Sequence, residues 1–230
     1  MNWKDLLGEV MGLEEKRFVD DGATLGWYGK EVFCVCPNCA GPALVRGKYI
    51  YAMPFWIEEA RVQCLKCSFS RDWANDESEW KGPVIGSVRQ RCPNCGHKWL
   101  AAEIWKEGYS DRIKQTVKVE CSFCSKKSEL KLNWHKDRFL GQPFDPYFGL
   151  PLLLQIETCG RILWVYNEAH LQALKAYISA ARRERSPDGW GWSMMTRLPK
   201  WVKSAKNRGA LLKSIERLEE KLGAIKRWRE

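Results

Sequence analysis

The sequence predicts an α+β fold in which two tandem antiparallel modules are followed by a small helical domain. Three observations lead to this prediction. Eight of the ten cysteines form four Cys-x-x-Cys pairs between positions 36 and 124. The segments around these pairs alternate apolar and polar residues with the period of a half-buried strand. After Pro151 the pairs stop, and apolar residues recur every three to four positions, as they do in amphipathic helices.

The composition is typical of a soluble globular protein. The chain has 230 residues, of which 45% are hydrophobic and 29% charged, and no apolar run approaches the roughly 18 residues of a membrane span. The first ten residues contain Lys4, Asp5 and Glu9 and no continuous apolar stretch, which argues against a signal peptide. We expect a cytoplasmic protein of a bacterial-type or similarly reducing compartment, without a membrane partner.

Residues 1–33 form a mixed N-terminal segment, with a short helix expected over residues 3–13. The four cysteine pairs follow, as Cys36/Cys39, Cys64/Cys67, Cys92/Cys95 and Cys121/Cys124. Their spacing of 28, 28 and 29 residues does not show which pairs act together. However, the first and third pairs share the sequence Cys-Pro-Asn-Cys, and a Gly/Pro break follows the second and the fourth. We therefore predict one module over residues 34–83 and another over residues 84–145, while an interleaved arrangement stays open.

Two Cys-x-x-Cys pairs present four thiolates, which complete a tetrahedron around one zinc ion. Ten cysteines in a reducing compartment favour metal sites over disulfides. The modules are thus predicted to be two zinc ribbons, each with one structural Zn²⁺. Iron–sulfur clusters and regulatory dithiols are the alternatives. An all-cysteine zinc site has no open position for a substrate, so the pattern predicts no catalytic residue and no enzyme.

Five further residues could bind metal but are better explained otherwise. Cys34 and the lone Cys159 are predicted to be small buried hydrophobes. His97 follows the third pair and could replace a cysteine ligand, although four cysteines are already available. His170, like His135, lies on a predicted element without an evident partner.

Alternation predicts strands at residues 44–51 and 60–63, at Val117 and Val119, and through Leu130, Leu132 and Trp134. Residues 146–230 are predicted to form a basic helical domain. Asn167 is the expected N-cap of a helix with Leu171, Leu174, Ile178 and Ala181 on its apolar side, closed by Arg182 to Arg185. A basic helix is expected from Leu198-Pro199 to about Arg208. A final helix carries Leu211, Ile215, Leu218 and Leu222 and ends at Gly223.

The net charge of +10 is concentrated near the C-terminus, because residues 151–230 hold 16 Lys and Arg against 8 Asp and Glu. Such a field favours an anionic partner, although a solvated cationic surface is the simpler explanation. The candidate nucleic-acid-binding residues are Lys200, Trp201, Lys203, Lys206, Arg208, Arg182, Arg183 and Arg185. Three-residue spacing would place the lysines on one side of a helix. Trp190 and Trp192 lie in a Gly-rich loop and are candidates for a contact surface.

The cysteine pairs resemble the ligand sets of transcription factor IIB-type and rubredoxin-like zinc ribbons. More of the chain resembles a group of uncharacterised bacterial double zinc-ribbon proteins, through residues 148–152, 163–167, 170–171 and 198–208. That group is expected to have Cys-Cys-Gly where this chain has Thr158-Cys159-Gly160. The resemblance implies the fold and the zinc content, and it implies no activity.

Two functions fit these observations. The first is a non-enzymatic zinc protein that binds nucleic acid, or a nucleic-acid-processing complex, through its basic C-terminal helices. The second is a protein–protein adaptor in which the ribbons and exposed tryptophans contact a partner and no nucleic acid is bound. An enzyme would need an open metal site or convergent acid and base groups, and the sequence indicates neither. Nothing in the sequence indicates an oligomeric state.

Overall fold

The computed structural model describes residues 17–50, 56–73, 80–108, 114–136, 143–184 and 193–227. The predicted mixed α+β class is confirmed. The chain divides into two compact units: Lys30–Leu153 is one, and the residues up to Gly29 together with Leu154–Glu230 are the other. The helix expected over residues 3–13 lies outside the described residues.

The strands, in chain order, are β1 (Arg17–Val19), β2 (Glu31–Val35), β3 (Pro42–Ile50), β4 (Trp56–Cys64), β5 (Ser70–Asp72), β6 (Val84–Arg91), β7 (Trp99–Lys106), β8 (Thr116–Glu120), β9 (Lys127–Lys131), β10 (Asn133–Lys136), β11 (Gln155–Thr158), β12 (Arg161–Trp164) and β13 (Arg182–Glu184). The helices are α1 (Leu25–Tyr28), α2 (Glu168–Ser179), α3 (Met194–Arg197), α4 (Lys200–Lys203) and α5 (Arg208–Lys226), with a 3-10 turn over Ala205–Asn207.

The unit of Lys30–Leu153 contains a four-stranded antiparallel sheet in the order β2-β3-β4-β5. Val32, Val45 and Val62 are partners across the first three strands, and all three are buried. Such β-branched residues pack well on a pleated, buried surface, which explains why this part of the sequence forms strands. The strands predicted at residues 44–51 and 60–63 are confirmed as parts of β3 and β4, although Tyr51 lies outside the described residues.

A buried turn over residues 145–150 packs against this sheet. The fully buried Asp145 carboxylate accepts hydrogen bonds from backbone N–H groups of the turn, among them those of Tyr147 and Phe148. The ring of Tyr147 lies so close to Gly47 of β3 that a side chain at Gly47 would overlap it. This glycine therefore permits the close approach of turn and sheet.

Residues 84–136 form a three-stranded sheet, β10-β6-β7, and a separate hairpin of β8 and β9. The predicted alternation of Val117 and Val119 is confirmed in β8. The alternation through Leu130 and Leu132 is also present, but the chain passes from β9 to β10 at Leu132 and thereby changes sheet. The small core between these strands contains the buried residues Val88, Cys92, Leu100, Cys121, Leu130 and Leu132.

In the other unit, α2 and α5 provide half of the described buried hydrophobic residues. The predicted N-cap of α2 is confirmed, since the Asn167 side chain accepts a hydrogen bond from the His170 N–H at 3.0 Å. The predicted apolar stripes are also buried, except Ala181, which is exposed. The buried stripe residues are Leu171, Leu174 and Ile178 of α2 and Leu211, Ile215, Leu218 and Leu222 of α5.

Three predictions of helix bounds are wrong. Helix α2 ends at Ser179, and Arg182–Glu184 form the strand β13, which pairs in parallel with β1. The basic helix expected from Leu198 to Arg208 is interrupted at Ser204, whose backbone is extended with φ −71° and ψ 126°. The last helix continues past Gly223 to Lys226. Tertiary pairing and packing override the local helical preference in the first two cases.

Candidate metal centres

The first candidate centre lies where two turns of the four-stranded sheet meet. Cys36 and Cys39 follow β2, while Cys64 and Cys67 lie at the end of β4. Their four Sγ atoms all lie within 4.8 Å of one another. The Cys36 and Cys67 sulfurs are 3.9 Å apart, and those of Cys39 and Cys64 are 3.6 Å apart.

The second centre repeats this geometry. Cys92 and Cys95 connect β6 to β7, and Cys121 and Cys124 connect β8 to β9. The sulfurs of Cys92 and Cys124 are 3.9 Å apart, those of Cys95 and Cys121 3.7 Å, and all four lie within 4.8 Å. Adjacent pairs are thus grouped, in the sequential arrangement that the Cys-Pro-Asn-Cys repeat predicts.

These separations fit a single metal ion in each cluster. Four thiolates at about 2.3 Å from a tetrahedral ion lie about 3.8 Å from one another. Two sulfur–sulfur distances in each cluster, 3.6 to 3.9 Å, agree with that value, and all four sulfurs of each cluster lie within 4.8 Å of one another. These distances are far longer than the roughly 2.05 Å of a disulfide. Each cluster could therefore hold one metal ion.

Three of the four turns around the cysteines share a backbone conformation and a hydrogen bond. The residue after the second cysteine has positive φ in three of the four turns: Ala40 (55°), Gly96 (70°) and Ser125 (55°). Its N–H donates to the carbonyl of the first cysteine of the pair, at 2.8 to 3.0 Å. Gly96 adopts this left-handed conformation readily because it has no side chain. At Ala40 and Ser125 the same conformation is adopted without glycine, so residue type did not signal it.

Amide groups of the turns also approach the sulfurs. The N–H of Asn38 lies 3.4 Å from Cys36 Sγ, and the N–H groups of Lys66 and Cys67 each lie 3.3 Å from Cys64 Sγ. The Asn38 side chain donates to Cys67 Sγ at 3.7 Å. Sequence reasoning did not single out this asparagine, although it stands between the two cysteines of the repeated motif.

Its counterpart in the second motif acts differently. The side-chain amide of Asn94 donates to Ser128 Oγ at 2.9 Å, which ties the first turn of that centre to β9. The asparagine of the repeated motif therefore contacts a cysteine sulfur in the first centre and a serine hydroxyl in the second.

At some of these cysteines, hydrogen bonds to sulfur favour the thiolate, which is the form that binds metal. The N–H of Phe69 and the side chain of Asn38 lower the pKa of Cys67 to about 6. The N–H groups of Cys124 and Phe123 lower the pKa of Cys121. By contrast, desolvation and the neighbouring thiols raise the pKa of Cys39 to about 12 and that of Cys124 to about 11. In each pair the first cysteine is buried and the second is half-buried, so one side of each centre faces the protein interior.

The other candidate ligands lie outside both clusters. Cys34 is fully buried, as predicted, and burial together with the Asp145 carboxylate raises the pKa of its thiol well above the usual value. The prediction that Cys159 is buried is wrong. It is exposed at the β11–β12 turn, where Cys159 and Gly160 both have positive φ, because a two-residue hairpin connection of this type projects into solvent.

None of the three histidines joins a cysteine group. The ring of His97 stacks on Phe123, with centroids 4.5 Å apart. His135 is exposed on β10. His170 is buried against Tyr28, and its Nδ1 accepts a hydrogen bond from the Tyr166 N–H at 3.2 Å. Burial lowers the pKa of His170 to about 3, so this imidazole is neutral.

The candidate nucleic-acid-binding residues do not form the single helical face that their spacing predicted. Lys200 and Lys203 lie on α4, whereas Lys206 lies on the 3-10 turn after the break at Ser204. Lys203 Nζ donates to the Thr196 carbonyl at 2.6 Å. Trp201 is half-buried. The prediction that one continuous helix carries all three lysines is therefore wrong.

Two arginines of that set stabilise the fold. Arg183 lies over the Tyr177 ring and donates to the carbonyls of Tyr177 and Lys203, both at 3.0 Å. Arg208 donates to the buried Ala180 carbonyl at 3.0 Å. Arg182 is exposed on β13, and Arg185, Trp190 and Trp192 lie outside the described residues.

Comparison with known proteins leaves the geometry as the main guide to function. No family model, curated protein or solved structure matches the chain. In the part of the chain that the structure describes, every helix is too short or too polar to cross a membrane.

Proposed function

We propose that each cysteine cluster binds one structural zinc ion, so that the Lys30–Leu153 unit contains two zinc ribbons of the kind that the cysteine pairs resemble. The observation that carries this proposal is the close grouping of the sulfurs: all four lie within 4.8 Å of one another in each cluster, and two pairs in each are 3.6 to 3.9 Å apart. A closed four-sulfur tetrahedron is typical of structural zinc.

The same distances disfavour a multi-iron cluster as the occupant. In a four-iron cluster each cysteine binds a different iron atom, which holds the sulfurs further apart than one shared ion does. A single iron ion remains the competing occupant. It differs from zinc in being coloured and redox-active, so elemental analysis of the purified protein separates the two.

Elemental analysis therefore tests the proposal directly. Protein purified without added metal and passed through a desalting column should contain about two zinc ions per chain and no visible absorbance. Iron in place of zinc, or a zinc content well below two with the thiols oxidised, would contradict the proposal.

We further propose that the protein is not an enzyme and that it binds nucleic acid or a nucleic-acid-processing complex. The support for nucleic-acid binding is electrostatic. The net charge is +10, and the half-buried or exposed cations of residues 154–227 include Lys200, Lys203 and Lys206. Counterion release makes such binding strongly salt-dependent. The adaptor role is the second candidate, favoured by large exposed aromatic side chains such as Trp27, Trp105 and Phe123.

A salt series distinguishes these two roles. Fluorescence anisotropy with single- and double-stranded DNA and RNA should show binding that weakens steeply with salt. Replacing Lys200, Lys203 and Lys206 with glutamine should flatten the dependence if the C-terminal helices contribute contacts. Absence of binding to every nucleic acid at low salt would favour the adaptor role.

A further inference from the structure

The solvent-facing side of the β6–β7 hairpin and the neighbouring β8–β9 turn carry a group of side chains that we call the arginine–aromatic patch: Arg89, Arg91, His97 and Trp99 of the hairpin and Phe123 of the turn. Arg91 and Trp99 are direct partners across the two strands, and Arg89 lies two residues further along the same face of β6. The guanidinium carbon of Arg91 is 4.8 Å from the centre of the Trp99 ring, and that of Arg89 is 5.2 Å away. Both distances are those of cation–π contacts.

The patch continues from the strands onto the turns of the second metal centre. Arg91 Nη1 donates to the His97 carbonyl at 3.1 Å. The His97 ring in turn stacks on Phe123, which lies between the ligands Cys121 and Cys124. The aromatic members are therefore connected through contacts, and the centre fixes the position of the turn that holds Phe123.

The aromatic rings of the patch are not needed to fill a core. Along β7 the side chains alternate, with Leu100 buried in the apolar core and its neighbour Trp99 on the opposite face, 52% exposed. Phe123 is 59% exposed. Large aromatic side chains that lie together in solvent commonly mark a contact surface.

The charge around the patch is strongly positive. Residues 84–136 hold 11 Lys and Arg against 5 Asp and Glu, whereas residues 30–73 hold 6 against 4. Within the described residues, no carboxylate forms an ion pair with Arg89 or Arg91, and Glu103 on the same face of β7 lies opposite Ser87 instead. By contrast, Arg46 and Arg61 of the first sheet pair with Glu31 and Asp72.

From this combination we infer that the arginine–aromatic patch binds single-stranded nucleic acid. Guanidinium groups without carboxylate partners are suited to phosphate oxygens. Exposed aromatic rings and guanidinium planes are suited to stack unpaired bases. Duplex bases are already stacked on one another, so the aromatic part of the patch favours single strands. The inference rests on the proposed nucleic-acid function and deepens it, because it assigns the ligand class and moves the principal contacts to the second ribbon.

Anisotropy with a fluorescent single-stranded oligonucleotide of about 15 nucleotides, as oligo-dT and as oligo-U, tests the inference on the full zinc-loaded chain. Trp99→Ala should weaken binding at least about fivefold, the lower end of what one stacked base contributes, and Phe123→Ala should act in the same direction. Trp99→Tyr, which keeps an aromatic ring, should retain most of the affinity.

The matched control is Trp105→Ala. Trp105 lies on the same face of the same strand and is 46% exposed, but it lies six residues from Trp99, about 20 Å along the strand. The control should leave the affinity unchanged. Zinc content measured on every variant shows that the fold persists.

A second arm tests the charges. The double variant Arg89→Gln with Arg91→Gln should reduce the slope of log K against log salt by about 1.4, which is 0.7 for each lost phosphate contact on a single strand. The control pair, Arg46→Gln with Arg61→Gln, removes the same formal charge from arginines that already have carboxylate partners. It should change the slope much less.

Three results would overturn the inference: no binding of either oligonucleotide at low salt, an unchanged affinity in both aromatic variants, or an equal loss in Trp105→Ala. Loss of binding only on replacing Lys200, Lys203 and Lys206 would also overturn it while supporting the C-terminal surface.

If the wild-type chain contains no zinc, the proposed function fails. If it contains two zinc ions and the aromatic variants bind normally, only the inference about the patch fails.

Discussion

At the scale of single residues, the cysteines differ in the surroundings of their sulfur atoms. Eight lie in the two four-sulfur clusters, Cys34 is enclosed by apolar side chains and the buried turn, and Cys159 is exposed at a hairpin tip. Residue type alone cannot distinguish these roles. The pairing of cysteines in the sequence could, because only paired cysteines offer two sulfurs from one turn.

Replacing a clustered cysteine should therefore have a different effect from replacing Cys34. Cys64→Ser should lower the zinc content from about two ions per chain to about one, since three thiolates leave the tetrahedron incomplete. Cys34→Ala should leave about two ions bound, at a modest cost in stability. Elemental analysis of the desalted variants makes the comparison. Equal zinc in Cys64→Ser and wild type would show that this cluster does not bind metal.

A second prediction at this scale concerns the buried imidazole of His170. The unfolded chain binds a proton on this group below a pKa of about 6.5, whereas the folded chain does so only below about 3. Stability attributable to His170 is therefore complete above pH 6.5 and is lost as the pH falls toward 3, by up to about 1.4 kcal/mol per pH unit.

The variant His170→Gln isolates this effect, because protonation of the cysteine clusters at low pH affects both proteins equally. Urea unfolding between pH 5 and 6.5, followed by helical circular dichroism, should show a shallower pH dependence in the variant, by close to one proton. Parallel curves for the two proteins would mean that His170 already takes up its proton in the folded state.

At the scale of elements, the ends of the helices depend on side chains from elsewhere in the same unit. Arg183 on β13 and Arg208 at the start of α5 donate to carbonyls at and just after the end of α2. Cations near these carbonyls agree with the preference of the helix dipole. They reach the carbonyls from other elements, however, and not from the last turn of α2.

Arg208→Ala should destabilise the unit that contains α2 and α5 by about 1–3 kcal/mol, because it leaves the buried Ala180 carbonyl without the Arg208 guanidinium donor. Arg217→Ala is the control: Arg217 is an exposed arginine of the same helix, and its loss should change stability by less than about 0.5 kcal/mol. Chemical denaturation measures both. Equal stabilities of the two variants would remove the structural role given to Arg208.

The elements differ in how far the sequence could predict them. The turns around the cysteines and the Asn167 cap could be predicted, because each depends on residues close together in the chain. The strand β13 could not, because it forms by pairing with β1, more than 160 residues away. The break at Ser204 was not predictable, because no Gly or Pro marks it in the sequence. The Asn207 side chain donates to the Trp201 carbonyl across the break, and residue type alone does not indicate this contact. The patch around Trp99 needed the register of β6 and β7.

At the scale of the whole molecule, the two units are stabilised by different means. The unit that contains α2 and α5 buries the apolar stripes of these two helices, which contact each other. In the Lys30–Leu153 unit, the second centre has a core of only six buried residues, two of which are the candidate ligands Cys92 and Cys121. Structural zinc contributes roughly 10–16 kcal/mol of apparent binding energy, which is comparable to the whole stability of a typical domain. Metal should therefore decide whether the strands of this unit fold.

Removal of zinc from the intact chain should separate the two units. After treatment with a mercurial reagent and a chelator, hydrogen exchange followed by mass spectrometry should show loss of protection in the strands that carry the clusters, above all in β6 to β9. Helices α2 and α5 should stay protected, since neither contains a ligand. Restoring about two zinc ions per chain should restore protection in the strands. Strands that keep their protection without metal, or helices that lose theirs at the same point, would contradict the division of stability between sulfur-bound metal and apolar core.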